Sequence, residues 1–200
     1  MDEFACTVTR LTSTDGGDGV RLTLADFPDG EGRTLTISAD DFLAMRIARG
    51  AMDKDTLDAV TEAAGRYAAL RAAIRMLGAG QCSRRRLYEK LRARRITDAD
   101  ATFAVDTVYA KGYIDEDWQL RSYIRTLTAQ KQYGPRKLYA ALAAKGYRGD
   151  DIRRAMDENF GAEEIRAARR VFLEKKFGKT APETRDEAAA MRQALYKQGF

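Results

Sequence analysis

Two hundred residues carry 35 Lys and Arg against 30 Asp and Glu, with no histidine, two cysteines and three prolines. The length suits one large domain or two small ones, and 44% hydrophobic with 32% charged residues suits long helices bearing a narrow apolar stripe. Without histidine, Ser-His-Asp and Cys-His nucleophilic sites and His-ligated zinc are excluded.

Cys6 and Cys82 alone cannot build a thiolate metal site; a long-range disulfide is their other use, though nothing else points to secretion. The longest apolar runs fall far short of a membrane span, and the acidic start (Asp2, Glu3) does not read as a signal peptide. The expectation is a soluble, cytoplasmic protein. Its net +5 is a sum of unlike parts. Residues 1–62 hold 6 basic and 13 acidic side chains, a net −7, and residues 63–200 hold 29 and 17, a net +12. Such asymmetry favours an acidic head on a body that prefers a polyanion or an acidic protein surface.

The first 38 residues read as β. Phe4, Cys6 and Val8, then Val20-Arg21-Leu22-Thr23-Leu24, alternate apolar and polar as half-buried strands require. Turns at Asp15–Gly19 and Asp29–Gly32 separate them from a third strand, Thr34–Ile37, which makes a three-stranded meander. A phosphate loop at 15–19 is rejected, because no Gly-Lys-Ser/Thr follows and no helix opens there. From Ser38 the period turns helical: Ser38 caps a helix that Gly50 closes, and Asp53 or Asp55 starts another running to Leu77. No comparable strand candidate follows Ile37.

The helical part repeats. Segment 84–96, RRRLYEKLRARRI, matches 135–147, PRKLYAALAAKGY, at an offset of 51, with Leu87/Leu138, Leu91/Leu142 and Ile96/Tyr147 coinciding. A weaker third copy places Met191, Leu195, Gly199 and Phe200 in register at an offset of 53. Each unit reads as three helices, with the third near Thr97–Lys111 in the first unit and Gly149–Asn159 in the second. The third copy stops before its last helix. The expected fold is mainly α: tandem three-helix repeats in an elongated curved array, with a small β-rich head. The segments are 1–61 (head and linking helices), 62–112, 113–160 and 161–200.

The densest chemical signal is 84–95, where seven basic residues face one acid, Glu89. On a helix, Arg85, Arg92 and Arg95 would share an exposed face, and a polyanion would relieve their repulsion. Arg136, Lys137, Lys145 and the nearby Lys131 are the second unit's counterparts. The aromatics among them fall mostly at core spacings, which leaves Tyr133 as the candidate for exposure. Asp115-Glu116-Asp117 could hold a divalent metal in a nuclease, but every acidic cluster tracks an expected helix start, where carboxylates complement the helix dipole. No catalytic residue, metal ligand or cofactor emerges.

Gly112-Tyr113-Ile114-Asp115-Glu116, then Tyr133-Gly134-Pro135-Arg136-Lys137-Leu138 and Lys145-Gly146-Tyr147, resemble the RecX family of recombinase regulators, as do Ser83–Leu87 and Lys90-Leu91 upstream. The resemblance covers about residues 62–200. It implies a non-enzymatic, monomeric modulator that lies in the groove of the RecA–single-stranded-DNA filament and restrains recombinase and coprotease activity in DNA repair and the SOS response. The residues expected to contact DNA backbone or RecA are Arg84, Arg85, Arg86, Lys90, Arg92, Arg95, Lys131, Arg136, Lys137 and Lys145. The rival is a stand-alone helix-turn-helix-like nucleic-acid-binding protein. It is weakened by the scarcity of Asn, Gln and Ser on 84–96.

Overall fold

The computed structural model describes residues 4–27, 30–179 and 181–200. Asp2, Glu3 and Asp29 of the second expected turn lie outside them. The chain forms two compact units, Met1–Gly80 with Leu87–Tyr113, and Gln81–Arg86 with Ile114–Phe200.

In the first unit, β1 (Phe4–Ser13), β2 (Gly19–Ala25) and β3 (Arg33–Ser38) pair antiparallel in succession, as alternating burial of Cys6, Val8, Leu22, Leu24 and Ile37 dictates. The sheet has a fourth member that the sequence pattern did not disclose. β4 (Gly50–Asp53) pairs antiparallel with β1, giving the order β3-β2-β1-β4. Gly50 therefore opens a strand instead of closing a helix. The helix capped by Ser38, α1 (Ala39–Ala44), ends at Met45, and Arg46 takes a left-handed φ of +53° that prevents its continuation.

Asp53 then caps α2 (Lys54–Ala79), its carboxylate accepting from the Thr56 backbone N–H at 2.8 Å and the Thr56 hydroxyl at 2.9 Å. Those bonds favour the ionised form and hold the Asp53 pKa below its ordinary value. At 26 residues α2 is about 39 Å long, enough to cover the sheet and continue beyond it. It packs on β3 and on α4 (Asp98–Ala110), with Val60 and Ala63 closing the core over the strands. Asp18 ties the β1–β2 turn to it, accepting from Arg71 at 2.6 Å and Tyr67 at 3.1 Å. α3 (Arg84–Ala93) begins in one unit and continues in the other.

The second unit is helical: α5 (Glu116–Lys131), α6 (Pro135–Ala144), α7 (Gly149–Asn159), α8 (Ala162–Phe177) and α9 (Arg185–Gln198). Leu120, Ile124 and Leu127 of α5 meet Leu138 and Leu142 of α6 and Ile152 of α7, so that α5, α6 and α7 bury one core. Thr97 and Asp115 cap α4 and α5 where the sequence places helix starts, and Thr184 caps α9. The fold is thus mainly α, with an antiparallel sheet at its start. Cys6 and Cys82 are both buried, and no disulfide joins them.

The repeat shows most clearly in how helices stop. α3, α4, α6 and α9 each end with one residue at positive φ: Arg95 (+63°), Gly112 (+74°), Gly146 (+88°) and Gly199 (+96°). The residue after it donates its N–H back five positions, Ile96 to Leu91, Tyr113 to Val108, Tyr147 to Leu142 and Phe200 to Leu195. This is the Schellman stop, and in α6 the residue that follows the glycine, Tyr147, is buried beneath the last turn.

Candidate nucleic-acid interface

α3 owes its start to two acceptors. The Ser83 hydroxyl accepts the Arg86 N–H at 3.3 Å while donating to the Lys145 carbonyl at 2.7 Å. The Glu116 carboxylate accepts the Arg84 N–H at 2.8 Å and the Arg84 Nε at 2.9 Å, and its second guanidinium contact is an ion pair at 2.9 Å. Glu116 thereby caps α3 from the first turn of α5, with its side chain 14% exposed against 33% for Arg84. Arg84 thus has an anchoring role within the free chain.

Leu87 and Leu91 are completely buried, so Arg85, Arg86, Lys90 and Arg92 are turned to solvent. The expectation that Arg95 shares a helical face with Arg85 and Arg92 does not hold. α3 ends at Ala93, and Arg95 occupies the left-handed stop where the other copies carry glycine. Arg92 instead bonds the Ile96 carbonyl across that stop. Within the first unit, Lys90, Ala93 and Arg94 join Arg75, Met76 and Ala79 of α2 around a cleft of about 650 Å³. Arg75, which sequence spacing did not single out, gives this cleft its third cation. Only the packing of α2 beside α3 brings it there.

The basic residues of α6 have a different environment. The end of α9 docks on the start of α6: the Gly134 N–H donates to Gln198 O at 2.9 Å and the Arg136 N–H to Gly199 O at 3.1 Å. Arg136 also donates its guanidinium to Tyr196 O at 3.0 Å and Phe200 O at 3.1 Å, and stacks on the Tyr196 ring at 4.1 Å. Lys137 bonds Gln198 Oε1 at 3.0 Å and lies over the Tyr133 ring. Helix termini explain the arrangement, because the free N–H groups opening α6 meet the free carbonyls closing α9. Lys145 sits over the Tyr123 ring at 4.3 Å, and Lys131 is exposed at the end of α5.

The acidic triplet is engaged throughout. Asp115 accepts the Trp118 N–H at 2.8 Å, Glu116 holds Arg84, and Asp117 pairs with Arg154 at 3.0 Å. Among the described residues no group of three or more Cys, Asp and Glu is arranged to hold a metal ion. Aromatic exposure differs from expectation. Tyr133 packs against the second unit's core, whereas Tyr113 and Trp118 are 51% and 55% exposed. Tyr147 is buried, donates to Gln119 at 2.6 Å, and has its phenol pKa pushed far up by desolvation. Among the described residues, no helix is long and apolar enough to cross a membrane.

No family model matches the chain. It is similar to proteins named regulatory protein RecX. One from Geobacillus thermodenitrificans is 26% identical over 167 residues, covering 83% of this chain and 62% of that relative's length. One from Thermus thermophilus is 34% identical over 102 residues, covering 51% of this chain and 70% of the relative. The chain therefore spans less than two thirds of the Geobacillus relative. Among solved structures, a regulatory protein RecX aligns with a TM-score of 0.77 at 19% identity, over 98% of this chain and 94% of the other. The RecX of Lactobacillus salivarius aligns at 0.60 and 18% identity, over 68% and 88%. At such identities these two establish the fold.

Proposed function

The chain belongs to the RecX family, and from that premise we propose that it is a non-enzymatic cytoplasmic regulator of the RecA recombinase. In this reading it binds as a monomer in the helical groove of the RecA–single-stranded-DNA filament. There it restrains strand exchange and coprotease activity, and so tempers DNA repair and the SOS response. The observation that carries the reading is the cationic cleft of the first unit, where Arg75, Lys90 and Arg94 converge without an acidic residue among the lining side chains. Cations gathered in a concave wall repel one another in the free protein, and a polyanion that enters releases counterions and relieves that repulsion.

The contacts follow by position. Lys90 lines the cleft, Arg92 and Arg95 extend the basic stretch at the end of α3, and Arg85 and Arg86 continue it at the other end of the same helix. Contacts of this kind grip backbone phosphate or acidic protein surface and carry no sequence information. Arg84 would anchor the start of α3, and Arg136, Lys137 and Lys145 of the second unit would add to the field that draws a polyanion.

The test is a RecA strand-exchange or ATPase assay on preformed filaments, titrated with the chain. Inhibition that weakens as salt rises, and that falls when Lys90 and Arg94 become alanine, supports the reading. Equal affinity for bare DNA and for the filament would overturn it.

A further inference from the structure

The exposed tryptophan belongs to a groove of its own. Trp118 lies in the first turn of α5, where its backbone is fixed by the Asp115 cap. Arg121, Ser122, Arg125 and Thr128 continue from it along one side of the helix at three- and four-residue steps. Asn159 at the end of α7 and Glu164 at the start of α8 form the opposite wall. The groove encloses about 450 Å³, within the range of roughly 300–1,000 Å³ typical of ligand clefts. All of it lies within the second unit.

Three features define what would fill it. Trp118 is 55% exposed, an unusual placement for the largest apolar side chain, and it offers a flat π face on a rigid helix. Arg121 and Arg125 are exposed and make no ion pair among the described residues. The neighbouring acids are mostly engaged, Asp117 with Arg154 and Glu163 with Arg166, which leaves Glu164 as the carboxylate on the groove. A ligand must therefore supply both a π face and repeated negative charge. A peptide of acidic residues alone lacks the first, one with scattered aromatics does not repeat a ring beside each charge as a nucleic acid does, and duplex DNA hides its π faces inside the stack.

We propose that this groove binds single-stranded nucleic acid, with one base stacked on Trp118 and the adjoining phosphates held by Arg121 and Arg125. The choice of DNA as that strand rests on the filament reading above. The groove itself needs no recombinase, so the two can fail separately.

Trp118 is the only tryptophan in the chain, so its emission reports this site directly. Titration of the full chain with oligo(dT), without RecA, is expected to quench that emission saturably. Trp118→Ala should weaken oligo(dT) binding roughly 5- to 150-fold by anisotropy of labelled strand, the equivalent of one lost stacking contact. Trp118→Phe, which keeps a ring, should retain most of the affinity and controls for folding. Arg121→Ala with Arg125→Ala should reduce the salt slope by about 1.4, from about 0.7 per phosphate on a single strand. Unchanged emission at saturating oligo(dT) would overturn the proposal. Equal quenching by a duplex of the same length, or by polyglutamate, would also overturn it. Quenching without any effect on RecA strand exchange would sink the filament reading and leave the groove standing.

Discussion

Gly134 precedes Pro135 at the start of α6, and its role can be separated by one substitution, Gly134→Ser. Its φ of −77° is open to any residue, and it makes no side-chain cap. Serine there would be a better N-cap than glycine by a few tenths of a kcal/mol. If capping were all that mattered, Gly134→Ser would stabilise. But a Cβ at this position would lie 2.5 Å from Phe200 N and 2.6 Å from Gly199 O, with the Gly199 carbonyl carbon closer still. Ordinary contact begins at 3.4 Å and the Gly199 carbonyl carbon would lie at 2.4 Å, so the end of α9 must withdraw by about 1.0 Å. That carries the Gly134 N–H to Gln198 O bond and the Arg136 N–H to Gly199 O bond, now 2.9 and 3.1 Å, out of bonding range. Two backbone bonds at about 1 kcal/mol each, plus part of the Arg136 side-chain bonding, give a loss of about 2–3 kcal/mol. In a chain of this size the midpoint should fall by roughly 4–12 °C. Hydrogen exchange should show the change locally, with lost protection at the amides of Gly134, Arg136, Gly199 and Phe200. A Gly134→Ser protein as stable as the parent, with those amides still protected, would refute the close approach as the reason for glycine.

Arg95→Gly should raise stability by about 0.5–1 kcal/mol in chemical denaturation, because a left-handed φ costs a non-glycine residue about 1–2 kcal/mol and glycine's extra chain entropy returns about half of that. Glu116→Gln should cost about 1–3 kcal/mol by removing the charge that holds Arg84 and its N–H, measured by urea melting, and loss of α3 amide protection should accompany it. Asp18 is held below its ordinary pKa first by the Thr14 hydroxyl, then by Tyr67 and Arg71, and Asp53 by the Thr56 amide. Folded carboxylates with lowered pKa contribute stability above the unfolded value near 3.8, and that contribution disappears as pH falls through the lower folded values. Melting temperatures followed from pH 6 to 2 should therefore fall less steeply in Asp18→Asn with Asp53→Asn than in the parent.

What the sequence disclosed follows from the range of the interactions involved. Thr97 and Asp115 were legible because a helix cap is written within three or four residues. β4 was not, because Gly50–Asp53 is a strand only by virtue of bonds to Phe4–Val8, more than forty positions away. Its leading glycine carries the same local signature as a helix stop. Arg95 misled for the opposite reason. A three-residue spacing places it beside Arg92 only if the helix continues, and the end of α3 lacks the glycine that marks its counterparts. The alignment of Ile96 with Tyr147 already held the correction, since it sets Arg95 opposite Gly146.

The basic residues of α6 show a deeper limit of counting charge. Among the described residues Arg136 and Lys137 pair with no Asp or Glu side chain, yet they are not idle: they meet main-chain oxygens, an amide oxygen and aromatic rings. Such partners occupy the donors without cancelling the charge. A cation held this way still contributes its full unit to the field that draws a polyanion toward the protein, because that field depends on net charge. It has fewer free N–H groups for gripping a phosphate at close range, which is what direct contacts require. Arg84, Arg153 and Arg154 differ again, since Glu116, Asp150 and Asp117 neutralise them at short range. Under the function proposed above, the +12 of residues 63–200 divides into three populations: neutralised, steering and gripping. Lys90, Arg94 and Arg75 around one cleft, and Arg121 with Arg125 in another, have the geometry of the third.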